Sequence, residues 1–300
     1  MASQKFVLGA YASLPAGREN QEDYYALLRA QEWVSGLEIP YPGDIADDPR
    51  WLADQLAHEW DQTSITVIPG TMKQVGANPA FGLASTDEAG RAAALEYVAG
   101  VRRTLLAIAE RNGRPSVSRV QLHSAPTNGA DADAFARSLE ELLGQNWGGA
   151  RLVVEHCDAP RAGRKPEKGF LEIADEVAVA AKVGAGIYIN WGRSCLEERD
   201  AEAPLRHIEL AGQAGVLEGV IFSGAGPEET RYGYSWIDGH LPARADEPSS
   251  LLGDVEVAAC AQAARGYNPD VVLGAKICVP EDAILGERVA MLKRICDAAR

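Results

Sequence analysis

Six residues of the kinds that move protons or grip oxyanions stand near the ends of short apolar runs in this chain. They are Glu38 in GLEIPY, His123 in SRVQLHSAP, Glu155 in RLVVEHCDAP, Asn190 in GIYINWGRS, Ser223 in LEGVIFSGAG and Lys276 in DVVLGAKICVP. A glutamate so placed serves as a metal ligand, a general base or a salt-bridge partner. His123 titrates near neutral pH as acid or base, ligates a metal through neutral imidazole, or packs as a hydrogen-bonded histidine. Glu38 holds a hydroxylated substrate or pairs with a nearby cation. Lys276 discriminates most sharply. Amid Gly, Ala, Ile and Val, its amine is either paired with a carboxylate such as Glu155 or driven toward neutrality by burial. An unpaired, desolvated amine would be a base or a Schiff-base nucleophile; the bland alternative is an outward-facing lysine. His156 follows Glu155 directly, and adjacent strand residues point to opposite sides. With Glu155 inward, His156 packs behind the strand.

The elements that must position these groups follow from the pattern around them. Together with KFVLGAYAS (5–13) and TSITVIPG (63–70), there are eight such runs, at 5–13, 36–41, 63–70, 118–126, 151–160, 186–194, 217–226 and 270–280. LVV before Glu155, IYI before Asn190 and VIF before Ser223 are continuously apolar, as parallel strands covered on both faces should be. Helical patterns fill most of the gaps: 88–111, with Thr86 and Asp87 as N-cap candidates and Asn112-Gly113 as the stop, then 131–144, 169–183, 204–214, 254–265 and 281–299. Pro280 sits where the last helix should begin. Strand and helix in alternation mean parallel strands joined by right-handed crossovers. Eight units close most naturally into a single (β/α)8 TIM barrel spanning residues 1–300. A GxGxxG after the first strand and a GxxxxGK[ST] phosphate loop are both missing, which argues against a Rossmann or P-loop reading. The long connections 69–87 and 224–253 fall after the third and seventh strands, on the face where barrel active sites lie.

The seventh connection holds RYGYSWIDGHLPARADEP (231–248). If it is extended, Asp238 and His240 share one side, and Tyr232, Tyr234 and Trp236 align among themselves. Aromatic faces beside two polar groups suit a sugar ring; otherwise the loop packs on itself over the barrel. Arg193, in INWGRS, is placed to bind a carboxylate, a phosphate or an acidic neighbour.

Bulk properties narrow the partners. The chain has 300 residues, 46% of them hydrophobic and 24% charged, with a formal net charge of −14, which argues against binding a phosphate backbone. Five cysteines (Cys157, Cys195, Cys260, Cys278 and Cys296), without a CxxC pair, fit reduced thiols in the cytoplasm. The N-terminus lacks signal-peptide anatomy, and no run approaches the length of a membrane span. The expectation is a cytoplasmic protein with a small-molecule partner and no nucleic acid or membrane. A homodimer is compatible with it, although no residue fixes an interface.

The succession of strand tails resembles the xylose-isomerase-like barrels, which include sugar isomerases, epimerases and endonucleases. IPGTMKQ, FGLASTDEAGR, VVEHCDAP and WIDGHLP resemble an uncharacterised bacterial branch of that superfamily. The resemblance implies a divalent metal, Mn²⁺ or Mg²⁺, held by a glutamate on the fifth strand, an aspartate on the sixth, a histidine on the seventh and a glutamate on the eighth. At those positions this chain carries Glu155, Asn190, Ser223 and Lys276. Three carboxylates have become one carboxylate and one ammonium, so no metal is expected there.

The expected function is therefore proton removal beside a carbonyl of a small sugar or sugar-derived acid, in an isomerase, epimerase or lyase. Glu155 is the expected base, with Lys276 or His123 stabilising the enolate oxygen. Glu38, Asn190, Arg193, Trp236, Asp238 and His240 would contact the substrate. A Schiff-base aldolase using Lys276 and a non-catalytic sugar-binding barrel are the alternatives.

Overall fold

The computed structural model describes residues 6–300; Lys5, where the first apolar run begins, lies outside them. Eight parallel strands form a closed barrel in chain order, β1 pairing with both β2 and β8. They are β1 (Phe6–Leu8), β2 (Gly36–Pro40), β3 (Ser64–Thr66), β4 (Arg119–Leu122), β5 (Arg151–Glu155), β6 (Gly186–Asn190), β7 (Leu217–Phe222) and β8 (Val272–Ala275). The helices are α1 (Arg18–Arg29), α2 (Asp44–Asp47), α3 (Pro49–Gln55), α4 (Ile68–Ala77), α5 (Glu88–Asn112), α6 (Ala132–Leu143), α7 (Ile173–Val183), α8 (Trp191–Glu198), α9 (Ala203–Gln213), α10 (Asp254–Tyr267) and α11 (Leu285–Ala298). The eight-stranded barrel expected from the alternating runs is the fold observed.

Among the described residues, a small cluster of Ile68, Ala125, Cys157 and Phe170 and two hydrophobic layers hold it. The larger lies between strands and helices and takes residues such as Phe6, Leu8, Val154, Ile187, Ile189 and Phe222. The smaller fills the barrel interior with Val7, Val153, Tyr188, Ile221 and Val272. Because side chains alternate along a strand, the inward residue two positions beyond each interior one reaches the C-terminal rim. Val153 thus predicts an inward Glu155, Tyr188 an inward Asn190, and Ile221 an inward Ser223. Gly219 makes room for the Tyr188 ring; a Cβ there would meet Tyr188 Cζ at 2.3 Å.

Three local expectations require correction. The first run ends as strand at Leu8 and turns into a 3-10 segment, Ala10–Ser13. Helix α4 begins inside what reads as a strand and loop, because IPGT places a proline in the first turn, where its missing N–H costs nothing. Pro280 does not open the last helix: α11 starts at Leu285, with Glu287 accepting from the Ile284 N–H. Helix α5 has the caps expected of it, Asp87 accepting from Gly90 N and Gly113 closing it at φ 64°. No helix among the described residues is long and apolar enough to cross a membrane.

Candidate active site

Glu155 ends β5 inside the barrel mouth, with no exposed surface. Five side chains converge on its carboxylate. Oε1 accepts from Asn190 Nδ2 at 3.1 Å and from Lys276 Nζ at 3.3 Å. Oε2 lies 2.9 Å from Arg193 Nη1, 3.0 Å from His123 Nε2 and 3.4 Å from Thr66 Oγ1. Burial opposes ionisation, but the Arg193 and Lys276 charges outweigh it and hold this carboxyl well below the usual range.

Lys276, the residue after β8, bridges two carboxylates: its Nζ also donates to Glu38 Oε1 at 2.7 Å. Burial works against its charge, yet Glu155 and Glu38 hold its pKa above the ordinary value. The lysine stem lies against Gly9, where an added Cβ would be 2.7 Å from both Lys276 Cβ and Cγ. Tyr11 completes this corner, its hydroxyl 3.3 Å from Glu38 Oε1 and its ring 5.9 Å from the ammonium. The other oxygen, Glu38 Oε2, is buried and finds no donor among the described residues.

His123 is neutral, its pKa driven down to about 4 by burial, which outweighs the pull of Glu155. Its Nε2 therefore carries the proton donated to Glu155, and the buried Nδ1 is left without a partner among the described residues.

Asn190 ends β6 and at once caps α8, accepting from Arg193 N. Strand passes to helix with no loop, so Arg193 is swung into the mouth rather than away from it. Arg193 Nε then reaches Asp238 Oδ2 at 3.0 Å, and Lys168 Nζ reaches the same oxygen at 2.7 Å. Lys168 is held by its backbone, since Asp158 accepts from the amides of Glu167 and Lys168. Asp238 Oδ1 stands 3.5 Å from His240 Nδ1, and that nitrogen is 3.1 Å from Ser223 Oγ.

The loop carrying Asp238 and His240 covers the mouth but is not extended: Trp236 and His240 adopt φ of 63° and 51°. The extended geometry expected of residues 232–240 therefore fails, although Asp238 and His240 still lie together, 3.5 Å apart. Trp236 packs against the Arg199 guanidinium, 5.6 Å from its ring centre, and Tyr234 is 56% exposed, so the aromatics form no common face. The loop is pinned at its ends by Gly224 and Leu241, which exchange backbone hydrogen bonds, and by Cys278 N donating to His240 O.

His156 does pack behind β5. Its ring lies between Glu176 (2.6 Å) and Glu197 (2.9 Å), and Ser124 donates to Glu176 at 2.5 Å. Burial alone would neutralise it; Glu176 and Glu197 reverse this and raise its pKa to about 10.

Of the rim residues read from sequence, Glu38, His123, Glu155, Asn190, Arg193, Asp238, His240 and Lys276 meet in one network. Trp236 lies outside it. Thr66, Tyr11 and Lys168 were missed. Thr66 ends its strand as Glu155 does, and the same rule finds it; Lys168 sits in a loop that carries no periodic signal.

Could these residues hold a divalent cation? Glu155, Asn190 and Ser223 offer oxygens, but the fourth position presents the Lys276 ammonium, and Arg193 grips the same carboxylate. A hard cation needs unopposed negative charge, so the donor set does not fit one. Glu197, Glu198 and His207 also lie close enough for a metal. There, however, Glu197 is already bound by His156, Ala159 N and Arg161.

Among the described residues, two clefts are of a size to admit a small molecule. One, of ≈ 800 Å³, lies among Arg119, Arg151 and Glu218 at the opposite end of the barrel. The other, of ≈ 1120 Å³, is lined by Ala12, Gln21, Arg231, Tyr232, Cys278 and Arg288 on the rim side. It begins one residue beyond Tyr11 and two beyond Lys276.

Residues 7–291 match the family model described as "Domain of unknown function (DUF4862)". "Uncharacterized protein STM3670" of Salmonella typhimurium (strain LT2) is 35% identical over 264 residues, covering 84% of this chain and 83% of that protein. Solved structures share the fold, among them the three described next. D-psicose 3-epimerase, solved in the presence of D-fructose, matches at 14% identity with a TM-score of 0.56, covering 99% of this chain and 96% of that one. D-allulose 3-epimerase from Methylomonas sp., in complex with D-allulose, matches at 13% identity with a TM-score of 0.58, covering 97% of each chain. A xylose isomerase domain protein from Alicyclobacillus acidocaldarius matches at 13% identity with a TM-score of 0.56, covering 99% of this chain and 98% of that one. What these structures share with this chain is the fold, a closed barrel of eight parallel strands.

Proposed function

This chain belongs to the DUF4862 family, and from the geometry of its rim we propose that it is an enzyme acting on a small sugar or sugar-derived acid. The reaction moves a proton from the carbon beside a carbonyl, as in an isomerase, epimerase or lyase. The observation that carries this reading is Glu38. Its Oε1 is held by Lys276 while its Oε2 is buried and unbonded among the described residues. A carboxylate oxygen with a free lone pair beside a fixed ammonium is a base next to an electrophile.

The base role expected of Glu155 passes to Glu38 in this proposal. All of the donors around Glu155 stabilise its ionised form, and a carboxylate held far below its usual pKa accepts protons poorly. Glu155 acts instead as the anion that keeps Lys276 protonated and aimed. With the substrate carbonyl oxygen on Lys276 Nζ, Glu38 Oε2 takes the α-proton, and the developing enolate charge falls on the ammonium. Returning this proton to the neighbouring carbon completes an isomerisation; an epimerisation releases it to solvent and takes a proton from solvent on the opposite face. Lysine supplies the positive charge here, so the proposed chemistry is independent of a divalent metal. A Schiff base needs a neutral amine, which the pairing of Lys276 with two carboxylates disfavours.

Support also comes from the folds that match this one, two of which belong to proteins named as sugar 3-epimerases. A second reading, a sugar-binding barrel without turnover, is favoured by the closure of the mouth: Glu155 and Lys276 have no exposed surface.

Incubation with a panel of ketoses, aldoses and keto-sugar acids in D₂O, followed by NMR, tests the proposal. Deuterium should enter at the carbon beside the carbonyl, and Glu38→Gln and Lys276→Met should each slow it by roughly 10²–10³. Equal exchange in wild type and both variants would refute the site. Thermal stabilisation by the same sugars without exchange would select the binding reading.

A further inference from the structure

We infer that the Arg193–Lys168 pair is a carboxylate-binding subsite, occupied in the closed protein by Asp238 of its own covering loop, and that the substrate is a sugar acid whose carboxylate takes Asp238's place. This rests on the function proposed above and deepens it by naming the substrate class.

The two cations are built into the frame independently of Asp238. Arg193 stands in the first turn of α8 and is also paired with Glu155 at 2.9 Å. Lys168 is placed by its amide on Asp158. Both nonetheless converge on one oxygen, Asp238 Oδ2, at 3.0 and 2.7 Å. If Asp238 leaves, a buried guanidinium and a partly buried ammonium remain aimed at a single point, which is how a carboxylate is received.

The residue that fills this point comes from a segment that is strained to deliver it. Trp236 and His240, two residues to either side of Asp238, are non-glycine residues with left-handed φ of 63° and 51°. Such conformations persist only where surrounding contacts enforce them. Here the contacts are the two cations and Glu167, which accepts from Asp238 N and Tyr234 Oη, with backbone hydrogen bonds at the strained residues themselves, Trp236 N donating to Gly226 O and Cys278 N to His240 O. At Asp238 itself, loop and subsite are held together by charge.

Charge balance then decides the ligand. The ion pairs of the rim join three carboxylates, Glu38, Glu155 and Asp238, to three cations, Lys276, Arg193 and Lys168. A neutral sugar would have no means of displacing Asp238. A phosphate would bring a second negative charge into a place balanced for one. A carboxylate exchanges for Asp238 without changing the balance. Because Arg193 touches both Asp238 and Glu155, a carboxylate in this seat would direct the rest of the molecule toward Asn190, Ser223 and Lys276. Departure of the loop also withdraws His240 from Ser223 Oγ, freeing that hydroxyl for the substrate. The ≈ 1120 Å³ cleft, walled by Arg231 and Tyr232 of the same loop, supplies the approach.

The test uses isothermal calorimetry with D-gluconate and D-glucuronate as probes, beside D-glucose and D-glucose 6-phosphate. If Asp238 is an internal competitor, Asp238→Asn should bind the two acids about tenfold tighter than wild type, because the closed state no longer has to be displaced. An ordinary substrate-contacting residue would give weaker binding in that variant. Lys168→Met should abolish the gain. Thermal denaturation confirms that each variant is folded. The inference is overturned if neither acid gains affinity in Asp238→Asn, if glucose or the sugar phosphate gains as much, or if Lys168→Met retains the gain. Tight acid binding without deuterium exchange would leave this subsite standing and remove the proposed reaction. Exchange confined to neutral sugars would do the reverse.

Discussion

The ammonium of Lys276 lies 3.3 Å from Oε1 of Glu155, so the residue after the eighth strand is ion-paired to the last residue of the fifth. A lysine at a strand end is paired, driven neutral or turned outward. Pairing is what the barrel achieves, and it does so twice, through Glu155 and Glu38. The interior charge is compensated rather than removed, and the predictions below depend on that compensation.

Lys276→Met should destabilise the fold by about 3–5 kcal/mol, because it leaves two buried carboxylates without their shared cation. Urea denaturation measures this. Adding Glu38→Gln to Lys276→Met should restore part of the loss, since one orphaned charge is removed with its partner. Additive losses in the double variant would contradict the pairing.

Gly9→Ala should disturb the same pair from behind. Its new Cβ would fall 2.7 Å from the Lys276 stem, and the lysine can yield only by shifting its ammonium. We expect a loss of about 1–3 kcal/mol in urea denaturation and a lower rate of the proposed exchange. Full activity and stability in Gly9→Ala would show that the stem has room the structure does not indicate.

Titration with Mn²⁺ or Mg²⁺ should give no stoichiometric heat, since an ammonium and a guanidinium already hold Glu155. Tight binding in calorimetry that disappears in Glu155→Gln would overturn this.

His156 makes a pH-dependent contribution of definite sign. Its folded pKa, about 10, exceeds the ordinary 6.5, so the folded state holds the proton more tightly. Its stabilisation is complete below the ordinary value and fades as pH rises through the folded one. His156→Gln should therefore lower the melting temperature strongly near about pH 6 and much less near about pH 10. A gap between the two proteins that stays constant with pH would exclude a charged His156.

How much of this was legible beforehand differs from residue to residue. The alternation that sends Val153 inward also sends Glu155 inward and His156 outward, so both positions followed from local geometry. Asn190 and Arg193 were found as residues, but helix α8 was not. An asparagine that ends a strand and caps a helix in one step looks, in sequence, like a strand running on. The covering loop was misread because left-handed φ at Trp236 and His240 has no signature in non-glycine residues. Its contacts impose the conformation.

The sequence by itself determined the barrel, the strand ends and the charged groups that stand on them, because apolar runs and side-chain alternation act over a few residues. Only the tertiary structure decided which charges meet. Lys276 is 121 residues from Glu155 and 238 from Glu38, and Lys168 reaches Asp238 across 70. Electrostatic pairing depends on distance in space and on burial, and both exist only once the barrel has closed.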